Sequence, residues 1–399
     1  MYDIILCGFG IANLGCLLQI VKKTELKILI IDKGRSFNDR ICNNKCSECK
    51  NDICIKLFGE FGSGIYTDCK FVGGNNSDVG GWLKEFISED SLEEYVTSTF
   101  EYFSTMNDKK GQFFDSTTES AKQLKYECLK NNLSLDLHNI YHCGCDGAKN
   151  IARNIKKELQ KYINIEYMYN SEVKHIEKKD RYYQLHITDN RDRDYIRDCK
   201  KLVIGTGRSS KNLLSNYECI DRNINIGIRF ETSKEIMEKF TSVLYNPRIL
   251  YRTDKYNDLV RTFCFAKTVC PENFDGLQLI NGSANSNEEN NSNINCAILV
   301  SIPLTEPFQG SREFITDIVK MSNRLNNGAM CQLIGDLRRG RRSTEKTISQ
   351  NSIKPSFRIC TPGDISLCAP KRILDDIIEM IDKLNLVMPG FANDSNIIF

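Results

Sequence analysis

The 399-residue chain has no surplus of charge: 54 Lys and Arg against 52 Asp and Glu leave a net +2 at pH 7. No global field therefore draws in nucleic acid or an anionic membrane surface. Long apolar runs are missing too, and none approaches the length of a bilayer span. The first residues lack a basic n-region and a small-residue cleavage site, so no secretory leader is expected. No internal repeat is present. What is abundant is cysteine, with 18 residues. Without a secretory signal, these are expected as reduced thiols, metal ligands or redox groups rather than disulfides, and the expected compartment is the cytoplasm.

Residues 1–32 carry the strongest local pattern. Tyr2-Asp3-Ile4-Ile5-Leu6-Cys7 is a short apolar run, followed at once by Gly8-Phe9-Gly10-Ile11-Ala12-Asn13. Leu14, Leu17, Leu18 and Val21 then recur at helical spacing, and Ile28-Leu29-Ile30-Ile31 ends on Asp32. Strand, glycine turn, helix, strand and acidic residue are the parts of a dinucleotide-binding unit. Gly8 permits a tight turn, Gly10 lets the backbone approach a pyrophosphate, and the helix N-terminus offers free N–H groups to the phosphates. Asp32, roughly 24 residues after Gly8, is placed to grip ribose hydroxyls. Asn13 stands where the fingerprint has its third glycine, which weakens close helix–strand packing.

Further along, helices are predicted over 82–106, 116–131, 148–162, 314–325 and 372–384. Strands are predicted over 163–169, 172–176, 182–187, 224–230, 260–265 and 297–302, and 201–207 reads as a buried strand ending in a glycine turn. The Asn/Ser/Glu-rich stretch 281–295 is expected to be an exposed loop. Together these give an α/β chain: a Rossmann-like nucleotide-binding domain over 1–211, an inserted β-rich α+β substrate or cap domain over 212–352, and a return toward the first domain over 353–399.

Several blocks then carry a family resemblance. They are Phe58-Gly59-Glu60-Phe61-Gly62-Ser63-Gly64 running on to Asp68-Cys69-Lys70, His142-Cys143-Gly144-Cys145-Asp146, Gly205-Thr206-Gly207-Arg208-Ser209-Ser210, Gly227-Ile228-Arg229-Phe230-Glu231, Val260-Arg261-Thr262-Phe263-Cys264 and Gln332-Leu333-Ile334-Gly335-Asp336. In order and spacing the chain resembles FAD-dependent dehydrogenases of the two-dinucleotide-binding-domain, glutathione-reductase-like flavoproteins, in a poorly characterised branch. It departs from that branch at Cys270-Pro271-Glu272-Asn273, and at Phe61, Ser63 and Cys69. The branch also continues past a last strand into a glycine-rich segment that closes over the flavin, whereas this chain stops at Ile397-Ile398-Phe399. The resemblance implies FAD as cofactor, a flavin site completed by a protein partner, weak flavin retention and slow turnover by this chain alone.

The cofactor-binding set is read as Gly8, Gly10, Asn13, Asp32, Lys33, Arg35, Gly62, Ser63, Gly64, Asp68, Gly205, Thr206 and Gly207. Low side-chain bulk at 62–64 suits a loop running against a flavin or its phosphates. Arg208, Arg229 and Arg261 are candidates for holding an anionic substrate, since a guanidinium grips a carboxylate or phosphate in bidentate fashion; a structural ion pair is the commoner use. His142 is a candidate proton shuttle near neutral pH, with a packing role as the alternative. Cys42, Cys46, Cys49 and Cys54 are spaced to hold zinc or an iron–sulfur cluster, or else form a loop of reduced thiols. Cys143 with Cys145, or Cys264 with Cys270, is a weaker candidate dithiol. The dense run Arg338, Arg339, Arg341 and Arg342 is read as a solvated loop, with a phosphate or nucleic-acid contact as the alternative. The expected activity is hydride transfer between FAD and a small anionic substrate; the chain has no second GxGxxG of its own for NAD(P)H, so NAD(P)H as electron partner, a separate reductase as donor and another acceptor all stay open. A non-catalytic flavoprotein-like partner subunit and a flavin-dependent RNA-modifying enzyme are the alternatives, the second disfavoured by the near-neutral charge.

Overall fold

The computed structural model describes residues 1–42, 51, 53–73, 83, 85–109, 111–209, 213–214, 224–283, 292–303, 310–326 and 329–399. Among them the strands are β1 (Tyr2–Cys7), β2 (Ile28–Ile31), β3 (Lys70–Gly73), β4 (Gln112–Phe114), β5 (Ser134–Asp136), β6 (Asn139–His142), β7 (Ile165–Met168), β8 (Ser171–Lys178), β9 (Tyr183–Asp189), β10 (Asp194–Ile204), β11 (Ile224–Ser233), β12 (Arg248–Arg252), β13 (Leu259–Ala266), β14 (Thr268–Phe274), β15 (Leu277–Ser283), β16 (Asn293–Ile302), β17 (Met330–Leu333), β18 (Thr361–Pro362) and β19 (Ile397–Ile398). The helices are α1 (Ile11–Ile20), α2 (Glu89–Thr105), α3 (Glu119–Lys130), α4 (Gly144–Leu159), α5 (Lys234–Thr241), α6 (Ser311–Asn326), α7 (Ile334–Arg338), α8 (Glu345–Gln350) and α9 (Lys371–Asn385). Two compact units divide this mixed α/β chain. The first is Met1–Cys69, Gly147–Ile220 and Phe274–Gly276; the second is Lys70–Asp146, Asp221–Asn273 and Leu277–Phe399.

The first unit is built on a six-stranded sheet. Its strands β7-β2-β1-β10 run parallel, and β10-β9-β8 continue as an antiparallel meander. All four residues of β2 are buried, as are Tyr2, Ile5, Leu6 and Cys7 of β1. Such unbroken apolar runs are what a parallel strand covered on both faces requires. The register aligns the strand ends: Cys7 pairs with Ile31 on one side and with Ile204 on the other. Three parallel strands thus end level, and the residues after them, Gly8, Asp32 and Gly205, emerge side by side.

The second unit is built on an eight-stranded sheet in the order β18-β17-β19-β11-β16-β13-β12-β5. Helix α9 covers it. Ile373, Leu374, Ile377, Met380, Ile381 and Leu384 form one buried stripe at helical spacing and join Phe230, Ile298 and Val260 of the sheet in one core. Each such side chain contributes about 1.5–3 kcal/mol on removal from water. Phe230 and Phe391 stack with ring centroids 4.2 Å apart. A small sheet, β3-β6-β4, and the β14–β15 hairpin account for the other strands.

Several expectations are corrected. The helix expected over 82–106 is described from Glu89, after Ser88, whose side chain accepts from the Ser91 N–H as an N-cap; Trp82 lies outside the described residues. Likewise Thr118 caps α3, accepting from Ala121 N–H, so that helix starts later than 116. The stretch 281–295 is strand at both ends, in β15 and β16, with Asn293 and Asn295 buried; residues 284–291 lie outside the described residues. Buried asparagine is tolerated there because each amide is spent: Asn295 Nδ2 donates to the Ala266 carbonyl (3.0 Å) and Asn293 Nδ2 to that of Lys354 (2.7 Å). Residues 353–399, expected to return toward the first domain, group with the second unit, as do residues 70–146. The cause is pairing: β19 lies between β17 and β11, and β5 lies on the far edge of the same sheet. Ile397 and Ile398 are therefore buried strand residues, and Phe399, beside them, is buried too and exchanges backbone hydrogen bonds with Arg229.

Candidate functional site

Gly8 follows β1 with φ +86, and a Cβ there would stand 2.6 Å from the Gly205 carbonyl oxygen. A side chain is excluded both by conformation and by space. Helix α1 begins directly after Gly10, with no side-chain cap and no acidic residue in its first turn. Its leading N–H groups have no partner within the helix. Asp32, buried at the end of β2, accepts from the Phe9 N–H (2.7 Å) and the Gly34 N–H (2.8 Å), which fixes its carboxylate beside the turn. Asn13 is not a glycine substitute. Its buried amide donates to the carbonyls of Cys7 (2.8 Å) and Gly8 (2.7 Å), tying helix to turn. Gly205 packs against this amide.

The loop after Cys54 closes the other wall. Gly62 (φ +64) begins a short 3-10 turn, Gly62–Tyr66, and its missing Cβ would sit 2.9 Å from Gly10 Cα. Buried Arg40 organises this loop: its guanidinium makes five hydrogen bonds to the carbonyls of Ile55, Lys56, Glu60 and Gly62. Burial lowers its pKa to about 10, so it remains charged at neutral pH. Glu60, itself buried, accepts from the Phe37 N–H (2.6 Å) and pairs with Lys156 (2.8 Å). Phe61 packs on Phe9, centroids 5.5 Å apart.

Between these walls lies a cavity of about 540 Å³. It is lined by Gly8, Gly10, Asp32, Lys33, Gly62, Ser63, Gly64, Gly205, Thr206, Gly207 and Arg208, so eleven sequence candidates meet in one place. Lys33 Nζ lies 3.8 Å from the centroid of Phe58, and the Arg208 guanidinium 5.4 Å from that of Phe274. Cys7 also borders the cavity, but burial pushes its thiol up to about 12, so it offers no thiolate. Three candidates are not in the lining. Asn13 sits behind the turn, Asp68 is buried elsewhere, and Arg35 is exposed with Nη2 donating to Asn51 (2.8 Å). Sequence reasoning set Phe58 and Gly59 in a family block without assigning them to the cofactor, and it missed the start of β8 from Ser171 to Lys174 and Phe274.

The remaining candidates belong to the second unit. Arg229 is a buried structural residue of β11: Nη2 donates to the Cys264 carbonyl (2.6 Å) and Nε to Asn295 Oδ1. Arg261 lies on β13, its guanidinium 5.8 Å from the Phe263 ring centroid. His142 ends β6, stacks on Tyr245 with centroids 3.8 Å apart, and borders a cavity of about 430 Å³ with Cys143, Cys145 and Lys267. The Gln332–Asp336 block is structural too. Gln332 Nε2 donates to the Arg341 carbonyl, and Asp336 accepts from Ser343 Oγ and Arg341 Nε. Within the arginine run, Arg338 pairs with Asp382, Arg339 with Asp394 and Arg341 with Asp336. Among the described residues no group of three or more His, Cys, Asp or Glu is placed to hold a metal. Cys42 and Cys54 are free thiols, and Cys46 and Cys49 lie outside the described residues. Among the described residues no helix is long and apolar enough to cross a membrane.

No protein-family model matches the chain, and no curated protein matches it. Solved structures give distant partial likenesses. NikD, an amino acid oxidase essential for nikkomycin biosynthesis, is 10% identical with a TM-score of 0.38, over 77% of this chain and 72% of its own. Pyridoxine 4-oxidase from Mesorbium loti is 10% identical with a TM-score of 0.39, over 75% and 71%. Glycine oxidase from Bacillus cereus is 11% identical with a TM-score of 0.33, over 81% and 79%.

Proposed function

We propose that the first unit binds FAD and that the chain is an FAD-dependent oxidoreductase acting on a small anionic substrate. One observation carries this reading: three parallel strands end level, and the glycine turns after β1 and β10, the Asp32 carboxylate and the 62–64 turn all border one cavity. Ligands of open α/β sheets bind outside the carboxyl ends of the strands. The residues present fit a dinucleotide. Gly10, Gly64 and Gly207 each face open space where a side chain would project. The cavity volume falls in the range of cofactor sites.

The residues divide the work. The uncapped start of α1 takes the pyrophosphate, and Gly10 lets the phosphates approach the backbone. Asp32, held by two backbone N–H groups, turns its remaining acceptor positions to ribose hydroxyls. The 62–64 turn bounds the site, and Arg208, of the three arginine candidates the one that lines this cavity, supplies a fixed positive charge for an anionic group. Bound FAD would supply the hydride exchange. NAD(P)H, zinc and an iron–sulfur cluster find no support in this site.

Gly10 gives a clean test. A Cβ there meets nothing within 4 Å, so Gly10→Leu folds normally but fills the phosphate cradle. FAD titrated into the wild-type chain should bind and show flavin bands in the visible spectrum, and Gly10→Leu should weaken binding by at least about 100-fold, roughly 2.7 kcal/mol. No binding by wild type, or equal binding by a folded Gly10→Leu variant, overturns the reading.

A further inference from the structure

We infer that Cys331 and Cys360 are a paired, oxidisable dithiol: the site at which a low-molecular-weight disulfide converts two thiols of this chain into an internal cross-link. Their Sγ atoms are 3.2 Å apart, although 29 residues separate them in sequence. Cys331 is the second residue of β17, and Cys360 immediately precedes β18, its parallel neighbour. Backbone bonds hold this juxtaposition: Thr361 N–H donates to the Ala329 carbonyl (2.8 Å) and Gly363 N–H to that of Cys331 (2.9 Å). A disulfide needs its sulfurs about 2.05 Å apart. Closing the remaining gap takes about 1 Å, within reach of small side-chain rotations at both residues.

The surroundings set the order of events. Cys331 is completely buried among Leu333, Ile348, Ile397 and Phe399, whereas Cys360 is only partly buried at the edge of that cluster. The adjacent Cys360 sulfur, and then burial, hold the Cys331 thiol far above the ordinary thiol range. Cys360 therefore attacks first, as its thiolate. Its sulfur bonds to one sulfur of the small disulfide, whose S–S bond breaks and releases one small thiolate, which takes up a proton. Cys331 sulfur then attacks Cys360 sulfur, the mixed S–S bond breaks, and the second departing thiolate takes the Cys331 proton. Two protein thiols are oxidised, one small disulfide is reduced to two thiols, and atoms and electrons balance. The cross-link ties the segment before β18 covalently to the sheet and is independent of flavin binding.

The experiment uses the full chain and glutathione disulfide as the probe. After exposure, remaining thiols are alkylated, and the digest is read by mass spectrometry without reduction. A peptide pair joined through Cys331 and Cys360, two hydrogens lighter than the separate peptides, is the expected product. Its yield should fall at least tenfold in Cys360→Ser, with Cys331 then alkylated only after unfolding. Glutathione retained on Cys360 with Cys331 still a thiol overturns the inference, as does oxidation of other cysteines while this pair stays reduced.

Discussion

Arg40 shows how much one buried side chain can decide. The loop that closes the cavity has no strand or α-helix of its own over 54–61, and four of its carbonyls converge on a single guanidinium. Removing that group strands several buried acceptors, each costing about 1–3 kcal/mol. Arg40→Met should lower the urea-unfolding free energy by at least ~3 kcal/mol and weaken FAD binding, because Gly62 is among the carbonyls released. Arg40→Lys should not restore it, since one ammonium cannot reach four carbonyls in a plane. Asp376 makes the opposite case, a buried carboxyl beside another. Burial, reinforced by Asp258, pushes its pKa up to about 6 from an ordinary 3.8. The folded state thus holds a proton that the unfolded chain gives up. This contribution is fully present below about pH 4 and is lost as pH rises through about 6. Asp376→Asn, which keeps the shape without the charge, should flatten the dependence of the urea midpoint on pH between 4 and 7 and raise stability at pH 7.5. An unchanged slope would remove Asp376 from the account.

Elements, rather than single residues, explain the sequence blocks. Gly227 lies in β11 where a Cβ would meet the Ile298 carbonyl oxygen at 1.8 Å. Gly227→Ala should break the β11–β16 register and cost several kcal/mol, read as loss of the cooperative transition; an alanine variant of wild-type stability would contradict the tight pairing. Ile377→Ala, on the buried stripe of α9, should cost about 2–5 kcal/mol. The block containing Gly227 and Arg229 therefore serves a sheet. In sequence it reads as a substrate site because burial of an arginine is a nonlocal outcome: Asn295 and Cys264, its partners, lie far along the chain. The nucleotide unit is legible for the converse reason. Its strand, turn, helix and acidic residue are contiguous, so spacing alone orders them. Ser171 to Lys174 and Phe274 reach the same cavity only through sheet pairing and a hairpin tip, and no local signal marks them. Asn13 is legible as a departure from the fingerprint, but not as a double hydrogen-bond donor.

At the scale of the whole molecule, every group that borders the proposed FAD cavity belongs to the first unit. At 100 times its dissociation constant, FAD should stabilise that unit by about 2.7 kcal/mol. Hydrogen exchange should slow at β1, β2 and β10 and stay unchanged at β13 and β16. Equal slowing in both units would show that they unfold as one.

The eight-stranded sheet has a different dependence, on one short joining strand. Its order places residues 397–398 between β17 and β11, so the two strands on one side and the five on the other have no direct pairing with each other. Lifting out those two residues would leave both β17 and β11 with an open edge. Two such edges in one molecule are a template for edge-to-edge aggregation, so the solubility of the whole sheet hangs on its smallest member.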